Sequence, residues 1–361
     1  MDRSLLTPDL AAGEPLQHSG IAEGDAVSPA IAASRMETVY QPIADDLARV
    51  DQRLRRELQS NYEALAPVLR HGTQLGGKRL RPALLLLSGR VVDPMRRPKP
   101  LSDDHIVMAV VIEMVHTATL VHDDVLDAAV TRRHVPTINA RYGNDVSLLL
   151  GDYLFAQSFS LAATLPSTRA CRWVGQAARA VCEGELRQVL GRHWWDIDEE
   201  TYLDILRGKT AELTRVACQL GADLSGGDQT AVDDLGDFGN DLGIAFQIAD
   251  DALDLWGDDE QVGKTLGTDL QQGKMTLPLI HLLHHRNREI ASATRRALQQ
   301  PPAQRLAAVM PLLRHSDAAE YTREVAEGFC QTALATLDRF PDSPALASLR
   351  QIANFSIRRG F

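Results

Sequence analysis

Two stretches of this 361-residue chain carry carboxylates at a spacing that can hold metal. Leu120-Val-His-Asp-Asp-Val-Leu-Asp127 contains Asp123, Asp124 and Asp127, and Gln247-Ile-Ala-Asp-Asp-Ala-Leu-Asp254 contains Asp250, Asp251 and Asp254. Both read D-D-x-x-D within apolar sequence. On a helix, residues four apart stack one above the other, about 6 Å along the axis. Asp123 and Asp127 then form one carboxylate column, and Asp250 and Asp254 a second. Two such columns cannot face each other in a low-dielectric interior without raised pKa values or separation of the side chains. Hard divalent cations remove the conflict, and an all-carboxylate set with room for water suits Mg²⁺. Because Mg²⁺ shares its shell with phosphate oxygens, the motifs point to a diphosphate held by metal between two helices. A solvated helix face is the plainer reading of one such motif alone. Here Val115, Leu120, Val121, Val125 and Leu126 argue against exposure of the first helix. Asp103-Asp104 and Asp233-Asp234 are expected to be helix caps, and Asp258-Asp259 a loop pair.

A diphosphate also needs protein cations. Gly76-Gly-Lys-Arg-Leu-Arg-Pro82 sets Lys78, Arg79 and Arg81 beside two glycines that allow close backbone approach to a phosphate. Arg132 and Arg133 follow the first aspartate motif. Lys209-Thr210 follows Gly208 in helical sequence, and Lys264 and Lys274 lie in a Gly-rich run directly after the second motif. Each alone is an ordinary surface cation; together they suit two anion pockets separated by metal. Gly263-Lys-Thr265 lacks the upstream glycine and preceding strand of a nucleotide-binding P-loop. His116, seven residues before Asp123, shares its helix face. It either bonds a diphosphate or is a buried structural histidine. Glu113-Met-Val-His116 also matches the Glu-x-x-His of di-iron bundles, but no second copy exists in the chain.

The elements that must position these groups read as helices. Aromatic residues are only 5% of the chain, Ala and Leu are abundant, and strand-type alternation never extends beyond a few residues. Pro82 opens a buried helix, Asp93 to Pro100 is a proline-rich loop, and one long apolar helix is expected from Asp103 to Ala128. Further helices are expected over 145–164, 169–192, 199–224, 231–256 and 276–298, and beyond Pro301-Pro302 to about Arg350. The expectation is an all-α single domain over 36–361, preceded by a disordered extension over 1–35 rich in Pro and Gly. A formal net charge of −10 argues against binding nucleic acid or anionic lipid in bulk. The four cysteines have no C-x-x-C spacing, which suggests a reducing cytoplasm. No secretory signal and no apolar run of membrane-spanning length are apparent.

From Tyr62 to the carboxyl end the chain resembles the trans-isoprenyl (all-E polyprenyl) diphosphate synthases. G-G-K-R-x-R-P, both D-D-x-x-D motifs, R-R, K-T and the late lysine pair occur in the family's order. The resemblance implies an all-helical bundle around a central cavity, a homodimer and three Mg²⁺ per site. Lys78, Arg81, His116 and Arg133 would bind isopentenyl diphosphate. Arg132, Lys209, Thr210, Gln247, Lys264 and Lys274 would surround the allylic diphosphate. Asp123 and Asp127 would ligate Mg²⁺ on one side and Asp250 on the other. Asp254, counted with the metal residues, would act like Asp124 and Asp251, through water or as a supporting partner. Ionisation would then depend on Asp123, Asp127 and Asp250 through the metal, and on Lys209 and Lys264. Lys264 and Lys274 would close over the site.

Ala118 and Thr119 occupy positions where short-product relatives often carry aromatics. Their small size leaves a product tunnel open, or simply allows close helix packing. The wording around the first motif looks most like the long-chain members, so a product longer than geranylgeranyl diphosphate is expected. A class I terpene cyclase would leave Gly76–Pro82 and Arg133 without a task. A regulatory subunit of a heteromeric synthase would tolerate decay of the aspartate motifs, and both are complete.

Overall fold

The structure, a computed structural model, describes residues 38–74, 77–92, 100–257 and 266–358. The expectations for the extension over 1–35, most of the loop from Asp93, Asp258-Asp259 and Lys264 lie outside the described residues. Among those described, helices dominate: α1 Ala44–Glu57, α2 Ala66–Gln74, α3 Leu80–Val92, α4 Asp103–Leu126, α5 Ile138–Tyr142, α6 Asn144–Ala162 and α7 Thr168–Leu190. They continue as α8 Glu199–Leu206, a π turn Arg207–Ala211, α9 Glu212–Leu224 and α10 Gln229–Trp256. The last are α11 Thr268–Gln271, α12 Leu277–Leu283, α13 Arg288–Leu298, α14 Pro302–Arg314, α15 Ala318–Leu337 and α16 Pro344–Arg358. The described strands are two-residue ones, β1 Thr131–Arg132 and β2 Val135–Pro136, paired antiparallel. The all-α expectation holds.

α4 is the centre of the bundle. It packs on α6, α3, α1 and α9, while α10 packs on α9 and α15. Met108, Val110, Val111, Ile112, Met114 and Val115 are fully buried, each contributing about 1.5–3 kcal/mol of apolar burial. By length and composition α4 is long and apolar enough to cross a membrane, which corrects the expectation that no such run exists. Its most apolar window is 78% buried inside the fold, so its partners are other helices. The α3–α9 contact is close because Gly221 has no side chain: a Cβ there would meet the Leu85 carbonyl oxygen at 2.0 Å.

Several boundaries differ from expectation, each for a local reason. Asp233 and Asp234 are not caps. Asp228 caps α10 by accepting from the Ala231 N–H at 2.8 Å, and buried Asp234 pairs with Arg339 at 2.5 Å. Asp103 and Asp104 sit in the first turn of α4, behind Ser102, where their charge suits the helix dipole. The helix expected over 276–298 breaks at His284–Asn287, where Asn287 caps α13 through the Glu289 N–H. The helix expected over 199–224 is interrupted by the π turn. There Gly184 of α7 lies against the turn's backbone, and a Cβ on it would stand 2.6 Å from the Lys209 nitrogen. π turns recur at functional sites.

Candidate active site

Two side-chain clusters of opposite charge lie along α4. The basic one is built on buried ion pairs that hold the chain before α3. Arg79, in a left-handed conformation (φ 53°), donates to Asp51 at 2.9 Å and to buried Glu113 of α4 at 2.7 Å. This anchoring presents Lys78 and Arg81 on either side. Arg81 is pressed into the fold, and its pKa falls to about 10 because burial and the nearby Arg133 outweigh the attraction of Glu113. Its Nε is buried without a hydrogen-bond partner. The Arg133 guanidinium lies on the backbone of Gly77, where a Cβ would stand 2.4 Å from Nη1 and would displace the guanidinium. His116 faces this cluster. Burial first, then the charges of Arg81, Arg133, Arg132 and Arg79, hold its imidazole well below its usual pKa. Lys78 is exposed, with Nζ 5.5 Å from the Phe355 ring centroid. The structure thus brings Arg81, His116 and Arg133 together, with the Lys78 ammonium over Phe355 beside them in the chain. Glu113 is already committed to Arg79, so the cluster favours an added anion, and neutral His116 can donate a ring N–H to it.

The acidic cluster begins two turns further along α4. Asp123 has its pKa pushed up to about 6, chiefly by burial, with Lys209 and Arg132 opposing and Glu185 and Asp127 adding to the rise. Asp124 is buried and paired with Arg132, at 2.9 Å to Nε and 2.8 Å to Nη2. Asp127 accepts from Lys274 Nζ at 3.1 Å and, weakly, from Arg192 Nη2 at 3.4 Å. Lys274 also pairs with Asp269 at 3.2 Å. Burial lowers the pKa of Lys274, but Asp269 and Asp127 outweigh it and raise the group to about 12.

The second motif lies near the end of α10. Asp250 is the exposed member. Asp251 is buried, accepting from Tyr202 Oη at 2.7 Å and from Gln247 Nε2 at 2.8 Å. Burial and then Asp269 raise its pKa to about 7. Gln247 accepts in turn from Thr210 Oγ1 at 2.8 Å. Asp254 holds the start of α11: it accepts from Thr268 Oγ1 at 2.9 Å and from the Asp269 N–H at 3.2 Å. Burial and Asp269 raise its pKa to about 6. Lys209, on the π turn, is tied to Glu185 at 2.5 Å and to Gln188 at 2.7 Å.

This donor set is oxygen-rich, and desolvation pushes Asp123, Asp251 and Asp254 toward protonation. It therefore fits hard divalent cations, with Asp123, Asp127 and Asp250 the residues that would hold them. Sequence reasoning missed Glu185, Gln188, Arg192, Tyr202 and Asp269. Glu185 and Gln188 sit three apart on one helix, a polar pair that could have been singled out. The others become visible only once distant elements meet. Ala118 is fully buried in α4, and half-buried Thr119 donates to the His116 carbonyl at 2.8 Å.

Several known proteins are similar to this chain in sequence and fold. The heptaprenyl diphosphate synthase component 2 of Geobacillus stearothermophilus is 37% identical, with 91% of this chain and 100% of that protein covered. The octaprenyl diphosphate synthase of Escherichia coli K12 is 35% identical over 90% of this chain and 99% of its own length. Among solved structures, a decaprenyl diphosphate synthase from Rhodobacter capsulatus superposes with a TM-score of 0.82 at 34% identity. It covers 90% of this chain and 99% of its own. A polyprenyl synthase from Caulobacter crescentus, complexed with calcium and isoprenyl diphosphate, also gives 0.82, at 32% identity, covering 90% and 98%. The family described as polyprenyl synthetase matches residues 62–312, and the chain belongs to it.

Proposed function

We propose that this chain is a Mg²⁺-dependent trans-prenyltransferase that condenses isopentenyl diphosphate with an allylic diphosphate, repeatedly, to a long-chain all-trans product. One observation carries the reading: a cationic cluster gathered around His116 and a carboxylate cluster beginning at Asp123 lie two turns apart along α4. That arrangement suits two diphosphates with metal at one of them. Lys78, Arg81, His116 and Arg133 hold the isopentenyl diphosphate. Arg132, Lys209, Thr210, Gln247 and Lys274, joined by Lys264, face the allylic diphosphate. Asp123, Asp127 and Asp250 ligate Mg²⁺, with Asp124, Asp251 and Asp254 fixing the surrounding structure, and the ions number three. What the metal supplies when bound is positive charge against the departing diphosphate. The fixed guanidiniums orient the isopentenyl group for attack on the allylic carbon, and the apolar wall of α4 excludes water.

Relatives named heptaprenyl, octaprenyl and nonaprenyl diphosphate synthases support a long product. The purified chain, given labelled isopentenyl diphosphate, Mg²⁺ and different allylic primers, should yield products beyond geranylgeranyl diphosphate by chromatography. Turnover of the allylic substrate alone would instead indicate a cyclase. Ala118→Phe should shorten the product; an unchanged length would mean that the tunnel does not pass this position.

We place the enzyme in the cytoplasm as a homodimer. Exposed Leu148 and Leu149 on α6 offer apolar surface that assembly would cover. Two relatives are named component 2, which favours a second reading in which a different subunit completes the enzyme. Light scattering with an activity assay on the chain alone separates these: an active dimer supports the first, an inactive chain the second.

A further inference from the structure

A third group of potential ligands lies apart from both clusters. His281 and His285 are four residues apart, at the end of α12 and in the turn after it, so their rings project to one side. Asp317, just before α15, stands between them: its Oδ1 is 2.7 Å from His281 Nε2 and 3.5 Å from His285 Nε2. Ligand atoms of the three all lie within 4.8 Å of one another. An aspartate at this position would ordinarily cap the following helix, yet Asp317 makes no such bond. Ser316 Oγ instead accepts from the Ala318 N–H at 3.3 Å, and the Asp317 carboxylate is turned to the imidazoles.

His281 is held in place. Its ring stacks on Tyr321 with centroids 4.2 Å apart, and the Tyr321 hydroxyl donates to Glu199 at 2.6 Å. We infer that His281, His285 and Asp317 form a binding site for a borderline transition-metal dication, Zn²⁺ being the natural occupant. Two imidazoles and one carboxylate leave a fourth position for water and select against Mg²⁺, which favours oxygen alone. Tetrahedral zinc with bonds of about 2.0–2.1 Å sets its ligand atoms about 3.3 Å apart. Asp317, 58% exposed, can move the few tenths of an ångström from His281 that this needs. His285 must bind through Nε2 with its proton on Nδ1, so the exposed bond from the Asn287 N–H to Nδ1 gives way to water. The metal would staple α12 to α15.

The test uses full-length protein stripped with chelator and held in excess Mg²⁺ so that the aspartate motifs are occupied. Calorimetric titration with Zn²⁺ should show one equivalent bound, and bound Zn²⁺ should raise the melting temperature. His285→Ala and Asp317→Asn should each weaken binding at least about tenfold and remove the thermal shift. His284→Ala should change neither, because that ring reaches the Ile197 carbonyl at 3.3 Å instead. Co²⁺ in place of Zn²⁺ should give the intense visible absorption of a tetrahedral nitrogen-containing site. Absent binding, equal affinity in His285→Ala, or loss of affinity in His284→Ala would each overturn the assignment.

Discussion

The two aspartate motifs are the same in sequence pattern and unlike in surroundings. Around the first, the partners are cations: Arg132 on Asp124, and Lys274 with Arg192 on Asp127. Around the second, among the described residues, they are neutral: Tyr202 and Gln247 on Asp251, and Thr268 with the Asp269 backbone on Asp254. Among the described residues, negative charge is partly balanced by protein cations at the first motif and meets only neutral donors at the second. Identical spacing thus supplies two half-sites of unequal hunger for metal, which D-D-x-x-D alone does not reveal.

The largest expected consequence lies in the buried middle aspartates. Asp124→Asn removes the charge partner of a largely buried guanidinium and should cost about 3 kcal/mol of stability in urea unfolding of the metal-free protein. Asp251→Asn should cost only about 1 kcal/mol, because Tyr202 keeps an acceptor and Gln247 can turn its amide to accept. Equal costs would erase the distinction between the motifs. Next comes Asp123→Asn, which should lower kcat on the order of 10²–10³-fold at saturating substrate with little change in thermal stability. A smaller step is Tyr202→Phe, which leaves one Asp251 oxygen without its donor and should destabilise by about 1 kcal/mol. A loss as large as that of Asp124→Asn would show the second motif to be no looser than the first. Smallest is Arg192→Ala, whose 3.4 Å contact with Asp127 is worth well under about 1 kcal/mol. A few-fold fall in the Mg²⁺ concentration needed for half-maximal rate is expected, because a cation that competes for Asp127 is removed.

Much of the fold and of the site is legible in the amino-acid sequence. The aspartates and the cations stand out because spacing on one helix is a local property, and the all-α class because strand patterns are absent. Glu113 has a different task from the metal ligation that its Glu-x-x-His spacing suggests: it is the counter-charge that fixes Arg79. Tyr202, Arg192 and Asp269 carry no local signal, because each acquires its meaning from an element dozens of residues away. The cap at Asp228 is masked by the more conspicuous Asp233-Asp234 beside it. Continuous helical composition hides the break at His284–Asn287, and only the side-chain cap of Asn287 marks it.

The π turn at Arg207–Ala211 has one more consequence. An extra residue in a turn advances everything beyond it by about 100° around the axis. α8, which carries Tyr202 toward Asp251, and the turn itself, which carries Lys209 toward Glu185 and Thr210 toward Gln247, are thereby set in different angular phases. A single-residue deletion within Arg207–Ala211 would restore an unbroken α-helix and keep nearly every side chain's chemistry, yet rotate Tyr202 out of step with Thr210. The chain's two allegiances here, to α7 and to α10, depend on one residue of slack.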